Sequence, residues 1–279
     1  MTSAKSLSST VKLNDGVSMP LFGLGTYLLK PGVGGEAELA VKHALKVGYR
    51  MIDTAEFYGN EADVGRAIRE SGVKREDIFL VSKIWDHGYD QCRKTVQNAL
   101  NKMELGYIDL YLIHTPLGGQ NCDTYRAMME FKEQGLIKSC GVSNFGVHHL
   151  EGLKEAGLPT PSVNQLELHP WQQKADIASY CQNNEITLMG YSPLTKGQRL
   201  QEPSLVDIAK KYNKSPAALL LRWSVQRGIV TIPKSGNLDR ITENAQVFDW
   251  SISVDDMNKL NSFPQWSCTW NPTTSPWQG

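Results

Sequence analysis

Long apolar runs are missing from this chain. The densest, residues 217–221, is five residues long, far short of the ~18 that cross a bilayer. Charge of one sign is missing too. Lys plus Arg number 29 and Asp plus Glu number 29, for a formal net charge of zero. This argues against the basic surface by which proteins hold nucleic acid or anionic membranes, and leaves room for one local cationic pocket. Cysteine is sparse: Cys92, Cys122, Cys140, Cys181 and Cys268 form an odd set without a C-x-x-C. Neither a disulfide framework nor paired zinc ligands fit it, so free thiols in a reducing compartment are expected. Residues 1–11 are rich in Ser and Thr and lack the apolar core of a secretory signal. A cytoplasmic protein with a small-molecule partner is therefore expected, with no nucleic acid, membrane or metal. P-loop and G-x-S-x-G motifs are also absent.

What is present is a rhythm of short apolar runs and amphipathic stretches. A hairpin signal comes first: Val11-Lys12-Leu13, the turn Asn14-Asp15-Gly16, then Val17. Strands are then expected at 21–25, 50–53, 78–81, 108–113, 138–142, 162–165, 187–191 and 229–232. Between them Ala37, Ala40, Val41, Ala44 and Leu45 recur at helical spacing, with Gly48 placed to stop the helix. Further helices are expected at 61–70, from Asp90 as cap through Met103, and at 124–134, 147–156, 174–183, 204–212 and 216–226. Strands alternating with helices imply right-handed crossovers and a parallel sheet. Eight such units in 279 residues suit one (β/α)8 barrel domain over 1–279. A doubly wound sheet would want G-x-G-x-x-G at its first turn. Gly23-Leu24-Gly25 runs on into Thr26, Tyr27 and Leu28 without the third glycine.

In such a barrel the chemistry collects at the C-terminal strand ends, where eight loops converge. Those ends carry Asp53, Lys83, His114, Ser143 with Asn144, Gln165, Tyr191 with Ser192, and Lys234. Positions 53, 83, 114 and 144 are about one strand–helix unit apart. Taken singly, each has a plain reading: Asp53 as a turn cap, Lys83 as a solvated cation, His114 as a core histidine, Tyr58 as a surface aromatic. Polar groups at seven successive ends converge on one volume.

The segment Asp53-Thr54-Ala55-Glu56-Phe57-Tyr58-Gly59-Asn60-Glu61 resembles the D-T-A-x-x-Y-x-N-E signature of the aldo-keto reductases. Ser82-Lys83-Ile84-Trp85, Leu112-Ile113-His114, Gly141-Val142-Ser143-Asn144-Phe145, Asn164-Gln165, Ser192-Pro193-Leu194 and Ile232-Pro233-Lys234-Ser235 are similar to its later strand ends, in order. Arg240-Ile241 and Glu243-Asn244 resemble its cofactor-closing segment. The similarity runs over 11–256 and includes aldehyde reductases and prostaglandin F synthase-like members. It implies a TIM barrel with an N-terminal hairpin and a C-terminal tail near the mouth, working as a monomeric NADPH-dependent reductase of aldehydes and ketones. It further implies Tyr58 as proton donor, supported by Asp53, Lys83 and His114. Ser143, Asn144, Gln165 and Tyr191, with Ser192 and Leu194, would hold the nicotinamide part of the cofactor. Lys234, Ser235 and Arg240 would take its 2′-phosphate, and Glu243 and Asn244 the adenine end.

Elementary chemistry agrees with this. No side chain donates hydride, so carbonyl reduction needs a cofactor. Tyr starts near pKa 10, and a neighbouring ammonium is expected to lower it. A phosphate monoester wants cationic donors such as Lys234 and Arg240, and no acidic residue stands between 233 and 238. Two other classes share some of these residues. One is a cofactor-binding regulatory subunit with little turnover; the other is an aldolase forming a Schiff base on Lys83, which leaves the 234–244 segment unexplained.

The substrate walls are expected to be Tyr27, Trp85, Thr115 and the tail tryptophans Trp270 and Trp277. Many relatives carry Trp where Thr115 follows His114 here, and the connections 115–123 and 194–203 are short. An open, partly aromatic pocket is expected, favouring aromatic and medium-chain aldehydes over sugars. The alternative for the tail is packing on the barrel exterior. The pair His148-His149 points to different sides of a helix and makes a poor metal site.

Overall fold

The computed structural model describes residues 5–279; residues 1–4, part of the Ser/Thr-rich start, lie outside it. An antiparallel hairpin, β1 (Thr10–Lys12) and β2 (Ser18–Pro20), pairs Val11 with Met19. Asn14 Nδ2 donates to the Pro161 carbonyl (3.2 Å), just ahead of a barrel strand, and Asp15 pairs with Lys132. The hairpin thus sits at the N-terminal end of the barrel, away from the strand ends where chemistry was expected.

Eight parallel strands follow: β3 (Leu24–Gly25), β4 (Met51–Asp53), β5 (Phe79–Ile84), β6 (Ile108–Ile113), β7 (Ile137–Ser143), β8 (Val163–Glu167), β9 (Thr187–Tyr191) and β10 (Val230–Thr231). Each pairs with its sequence neighbour, and the bridges Phe22 to Thr231 and Gly25 to Lys234 join first to last. The sheet is therefore a closed (β/α)8 barrel. Every residue of β5 is buried, as expected of a strand with side chains inside the barrel on one face and helices over the other.

The helices are α1 (Glu36–Val47), α2 (Glu61–Arg69), α3 (Tyr89–Met103), α4 (Asn121–Glu133), α5 (Val147–Glu155), α6 (Ala175–Asn183), α7 (Pro203–Lys211), α8 (Pro216–Gln226), α9 (Leu238–Asn244) and α10 (Val254–Asn261). The stripe on α1 is buried as its spacing implied, and Gly48 ends that helix at φ 115° with its N–H on the Ala44 and Leu45 carbonyls. Gly88, at φ 108°, takes the cap position of α3, and Asp90 lies inside the first turn. The sequence reading had put the cap on Asp90. Helices α9 and α10 follow the last strand, beyond the rhythm read from the sequence. A side chain on Gly65 would run into the Met103 backbone, so glycine there lets α2 meet the end of α3. No helix among the described residues is long and apolar enough to cross a membrane.

Candidate active site

Because all eight strands run parallel, their C-terminal ends open at one mouth of the barrel, and the four proposed catalytic side chains meet there. Asp53 ends β4 and Lys83 lies one strand over on β5, both buried. Lys83 Nζ donates to Asp53 Oδ1 (2.6 Å), to the Thr54 carbonyl (2.9 Å) and to Tyr58 Oη (3.2 Å). An ammonium has three donors, and all three are used. The other Asp53 oxygen accepts from Gln165 Nε2 (2.8 Å). Tyr58 hangs over this pair from the short 3-10 turn Glu56–Tyr58, partly exposed to the mouth.

Asn60, fully buried, makes that turn rigid. Its Nδ2 donates to the Thr26 and Leu29 carbonyls, and its Oδ1 accepts from the Thr54 hydroxyl (2.7 Å). This ties the Tyr27 loop to the Tyr58 loop, and the two rings lie 5.0 Å apart. Thr54 and Asn60 were part of the signature and Phe57 filled one of its variable positions, but their roles were not read from it.

The electrostatics differ from the expectation in one respect. Burial raises the Tyr58 phenol well above its ordinary value, and Asp53 adds to the effect, with Tyr191 and Tyr27 acting in the same sense. The sequence reading had Lys83 lowering it. The main reason is burial, since loss of solvent penalises phenolate, and the Asp53 charge opposes the lowering that Lys83 alone would bring. Tyr58 is thus a protonated phenol. Because Oη accepts from Lys83, its own hydrogen is left to point elsewhere. Burial also works against both charges of the pair, pushing Asp53 up and Lys83 down, while each charge favours its partner's.

His114, after β6, stands edge-on to Tyr58 (5.6 Å) and Trp85 (5.1 Å). Burial, with Lys83 assisting, holds its pKa well below the ordinary imidazole value, so the ring is neutral. Its carbonyl accepts from Asn144 Nδ2 (3.0 Å), and Asn144 Oδ1 accepts from Tyr191 Oη (2.8 Å). Ser143 Oγ donates to the Gln165 carbonyl (3.0 Å). Ser143, Asn144, Gln165 and Tyr191 therefore form one linked polar group beside the Asp53–Lys83 pair. Ser192 and Leu194 follow at the end of β9, half-buried.

Farther out, Lys234 follows β10 and Arg240 stands on α9, both exposed. Neither forms an ion pair among the described residues. Ser235 shapes the turn between them, its hydroxyl donating to the Asn237 carbonyl (3.2 Å). On α9, Glu243 is exposed and Asn244 buried. The tertiary structure adds an acidic neighbour that the local sequence lacks: a side chain on Gly236 would run into the Glu36 carboxylate. A pair of free cations with a hydroxyl, plus buried amides at the strand ends, fits the phosphate and carboxamide groups of a nicotinamide dinucleotide phosphate.

The substrate-wall residues separate. Trp85 stacks on Phe57 (4.3 Å) and on Trp270 (5.9 Å), which brings the tail to the mouth. Tyr27 joins them through the Tyr58 and His114 rings. Thr115 is buried, and its hydroxyl accepts from Leu117 N (3.2 Å) to close a turn. Trp277, grouped with Trp270 in the sequence reading, goes elsewhere. It covers Gly152 of α5 and lies near Phe145 and His149, because a side chain at 152 would occupy its place. His148 and His149, expected on different sides of a helix, instead converge at the start of α5, where both hold the Ser275 carbonyl (2.7 and 2.8 Å) and so fasten that part of the tail.

Residues 22–264 match the sequence profile described as "Aldo/keto reductase family". Glyoxal reductase of Bacillus subtilis (strain 168) is 47% identical over 259 residues, covering 92% of this chain and 93% of that protein. The crystal structure of an aldo/keto reductase from Brucella melitensis superposes with TM-score 0.86 at 43% identity, covering 91% of this chain and 98% of that one. The Bombyx mori aldo-keto reductase, solved in complex with NADP, superposes with TM-score 0.86 at 34% identity over 94% of both chains.

Proposed function

Starting from the fact that this chain belongs to the aldo/keto reductase family and is an oxidoreductase of that kind, we propose that it works as one barrel domain reducing aldehydes and ketones to alcohols with NADPH. The observation that carries this reading is the protonated Tyr58 phenol, which accepts a hydrogen bond from Lys83 (3.2 Å) and stands at the open mouth.

NADPH, when bound, supplies the hydride that the carbonyl carbon accepts. Tyr58 donates its Oη proton to the carbonyl oxygen, so the phenol O–H breaks as the alcohol O–H forms. Lys83 holds the resulting phenolate by its charge until solvent at the mouth reprotonates it. Asp53 keeps Lys83 charged and in place, with Gln165 holding the far carboxylate oxygen. The neutral His114 ring, edge-on to Tyr58, would stand beside the reacting carbonyl. Ser143, Asn144, Gln165, Tyr191, Ser192 and Leu194 would hold the nicotinamide portion. Lys234, Ser235 and Arg240 would hold the 2′-phosphate, and Glu243 and Asn244 the adenine end.

Tyr27, Trp85 and Trp270 form an aromatic wall with few fixed polar groups, which supports broad use of aromatic and medium-chain aldehydes. The aldolase reading fares poorly, because a Schiff base needs a free amine and every Lys83 donor is engaged inside the barrel. The test is Tyr58→Phe. NADPH binding, followed by fluorescence titration, should persist while turnover of a small aldehyde falls by about 10²–10⁴, the usual span for a positioned acid. Near-wild-type turnover would remove Tyr58 from the role. Tight NADPH binding by the wild type without turnover of any carbonyl would favour the regulatory reading.

A further inference from the structure

One buried carboxylate at the strand ends has no part in that chemistry. Glu167 lies two residues beyond Gln165 on β8, and strand alternation sends it to the same face. Its Oε1 accepts from His169 Nε2 (2.7 Å) and from the Cys268 peptide N–H (2.7 Å). Its Oε2 accepts from the Ser267 hydroxyl (2.7 Å), the Thr269 N–H (3.1 Å) and the Thr269 hydroxyl. Four of these five donors come from the tail, about a hundred residues away in sequence. The next residue is Trp270, which stacks on Trp85 with rings inclined by 26°.

Glu167, His169 and Cys268 also place three potential metal-ligating atoms within 4.8 Å of one another. Both carboxylate oxygens are already taken by donors of the chain itself. The Cys268 thiol is pushed up to about 12 by burial and by the Glu167 charge, so it is no thiolate. Burial would raise the Glu167 pKa, but its hydrogen bonds from His169, Thr269, Cys268 and Ser267 outweigh it and hold the group at about 2. The cluster is an ionised anchor.

We infer that Glu167 is a positioning residue for substrate selectivity: by gripping residues 267–269 it seats Trp270 against Trp85, a flat wall that favours planar aromatic carbonyls over flexible aliphatic ones. The selectivity rests on the reductase reading above; the anchoring does not. Only a carboxylate serves the anchor. Each oxygen receives a backbone N–H, and a backbone donor cannot turn round as a hydroxyl can. A glutamine in either orientation would set its NH2 against one of them, leaving a half-buried donor unmet.

The experiment compares wild type, Glu167→Gln, Trp270→Ala and the double variant with NADPH, measuring kcat/KM for nitrobenzaldehyde and for hexanal alongside near-UV circular dichroism. Glu167→Gln should lower the aromatic-to-aliphatic ratio about two- to tenfold, the value of one aromatic contact, through KM of the aromatic substrate. Trp270→Ala should do the same, with no further loss in the double variant. The tryptophan signal of the Trp85–Trp270 stack should fall in each. An unchanged ratio in Glu167→Gln while Trp270→Ala shifts it, or additive losses in the double variant, would overturn the inference, as would an unaltered spectrum in Glu167→Gln. Thr269→Val, which deletes one donor and leaves the carboxylate paired, should give a smaller shift in the same direction and carries the test if Glu167→Gln fails to fold. A wild type that reduces neither aldehyde would instead count against the reductase reading, and the spectra would still decide the anchor.

Discussion

Lys83→Met tests the centre of the site most directly, because the structure sets both the size and the pH dependence of the effect. The substitution removes the 2.6 Å partner of Asp53 and leaves a buried carboxylate with Gln165 as its remaining side-chain donor. Breaking a fully buried pair from one side costs about 3–5 kcal/mol. A chain of this size loses roughly 2 °C per kcal/mol, so the melting temperature should fall by about 6–10 °C at pH 8. Asp53 can relieve the strain by taking up a proton. Its folded pKa, already raised by burial, rises further without the ammonium. A raised folded pKa gives stability that is full below the unfolded value of about 3.9 and is lost as pH climbs through the folded value. The deficit against wild type should therefore shrink from pH 8 to pH 5.5. Asp53→Asn combined with Lys83→Met removes both charges and should melt higher than Lys83→Met alone, although both lose turnover. Thermal unfolding by circular dichroism at the two pH values measures all of this. A deficit that is equal at both, or a double variant that simply sums two losses, would refute the view that the pair is held by mutual charge compensation.

Two further outcomes are expected. Arg240→Ala should weaken NADPH by about tenfold or more while leaving NADH nearly unchanged, since a charge-assisted hydrogen bond contributes roughly 1.5–3 kcal/mol; equal losses in titrations of the two cofactors would remove Arg240 from the phosphate. In a comparison of kcat/KM for nitrobenzaldehyde, hexanal, glyoxal, glucose and xylose, the aromatic and aliphatic aldehydes should lead both sugars, whose hydroxyls would meet few fixed partners along Tyr27, Trp85 and Trp270. A sugar ranked above nitrobenzaldehyde would contradict the open aromatic pocket.

Where the sequence was informative, the information was local and repeated. One apolar run and one amphipathic stretch per unit are enough to specify a strand and its covering helix. The shared strand direction then brings Asp53, Lys83, His114 and Ser143 to one end of the barrel without any knowledge of long-range contacts, each stepping at most two residues beyond the register of its neighbour. That is why the barrel and the four catalytic candidates were legible, and why the buried stripe of α1 and its Gly48 stop fell where the spacing put them. Boundaries moved by a few residues where caps depend on backbone conformation, as with Gly88 in place of Asp90.

Other features depended on groups far apart in sequence, and only the fold could decide them. The protonation of Tyr58 follows from burial, with the Asp53 charge opposing Lys83, a balance of distances that no motif encodes. Glu36 reaches Gly236 from the other end of the chain, beside the cations proposed for the phosphate. The tail tryptophans look alike in sequence, yet Trp270 meets Trp85 at the mouth while Trp277 fills the gap that Gly152 leaves on α5. Glu167 offered a faint signal, two residues after Gln165 on the same face of one strand. Its partners lie about a hundred residues later, so the anchor exists only once the barrel has closed and the tail has crossed its mouth.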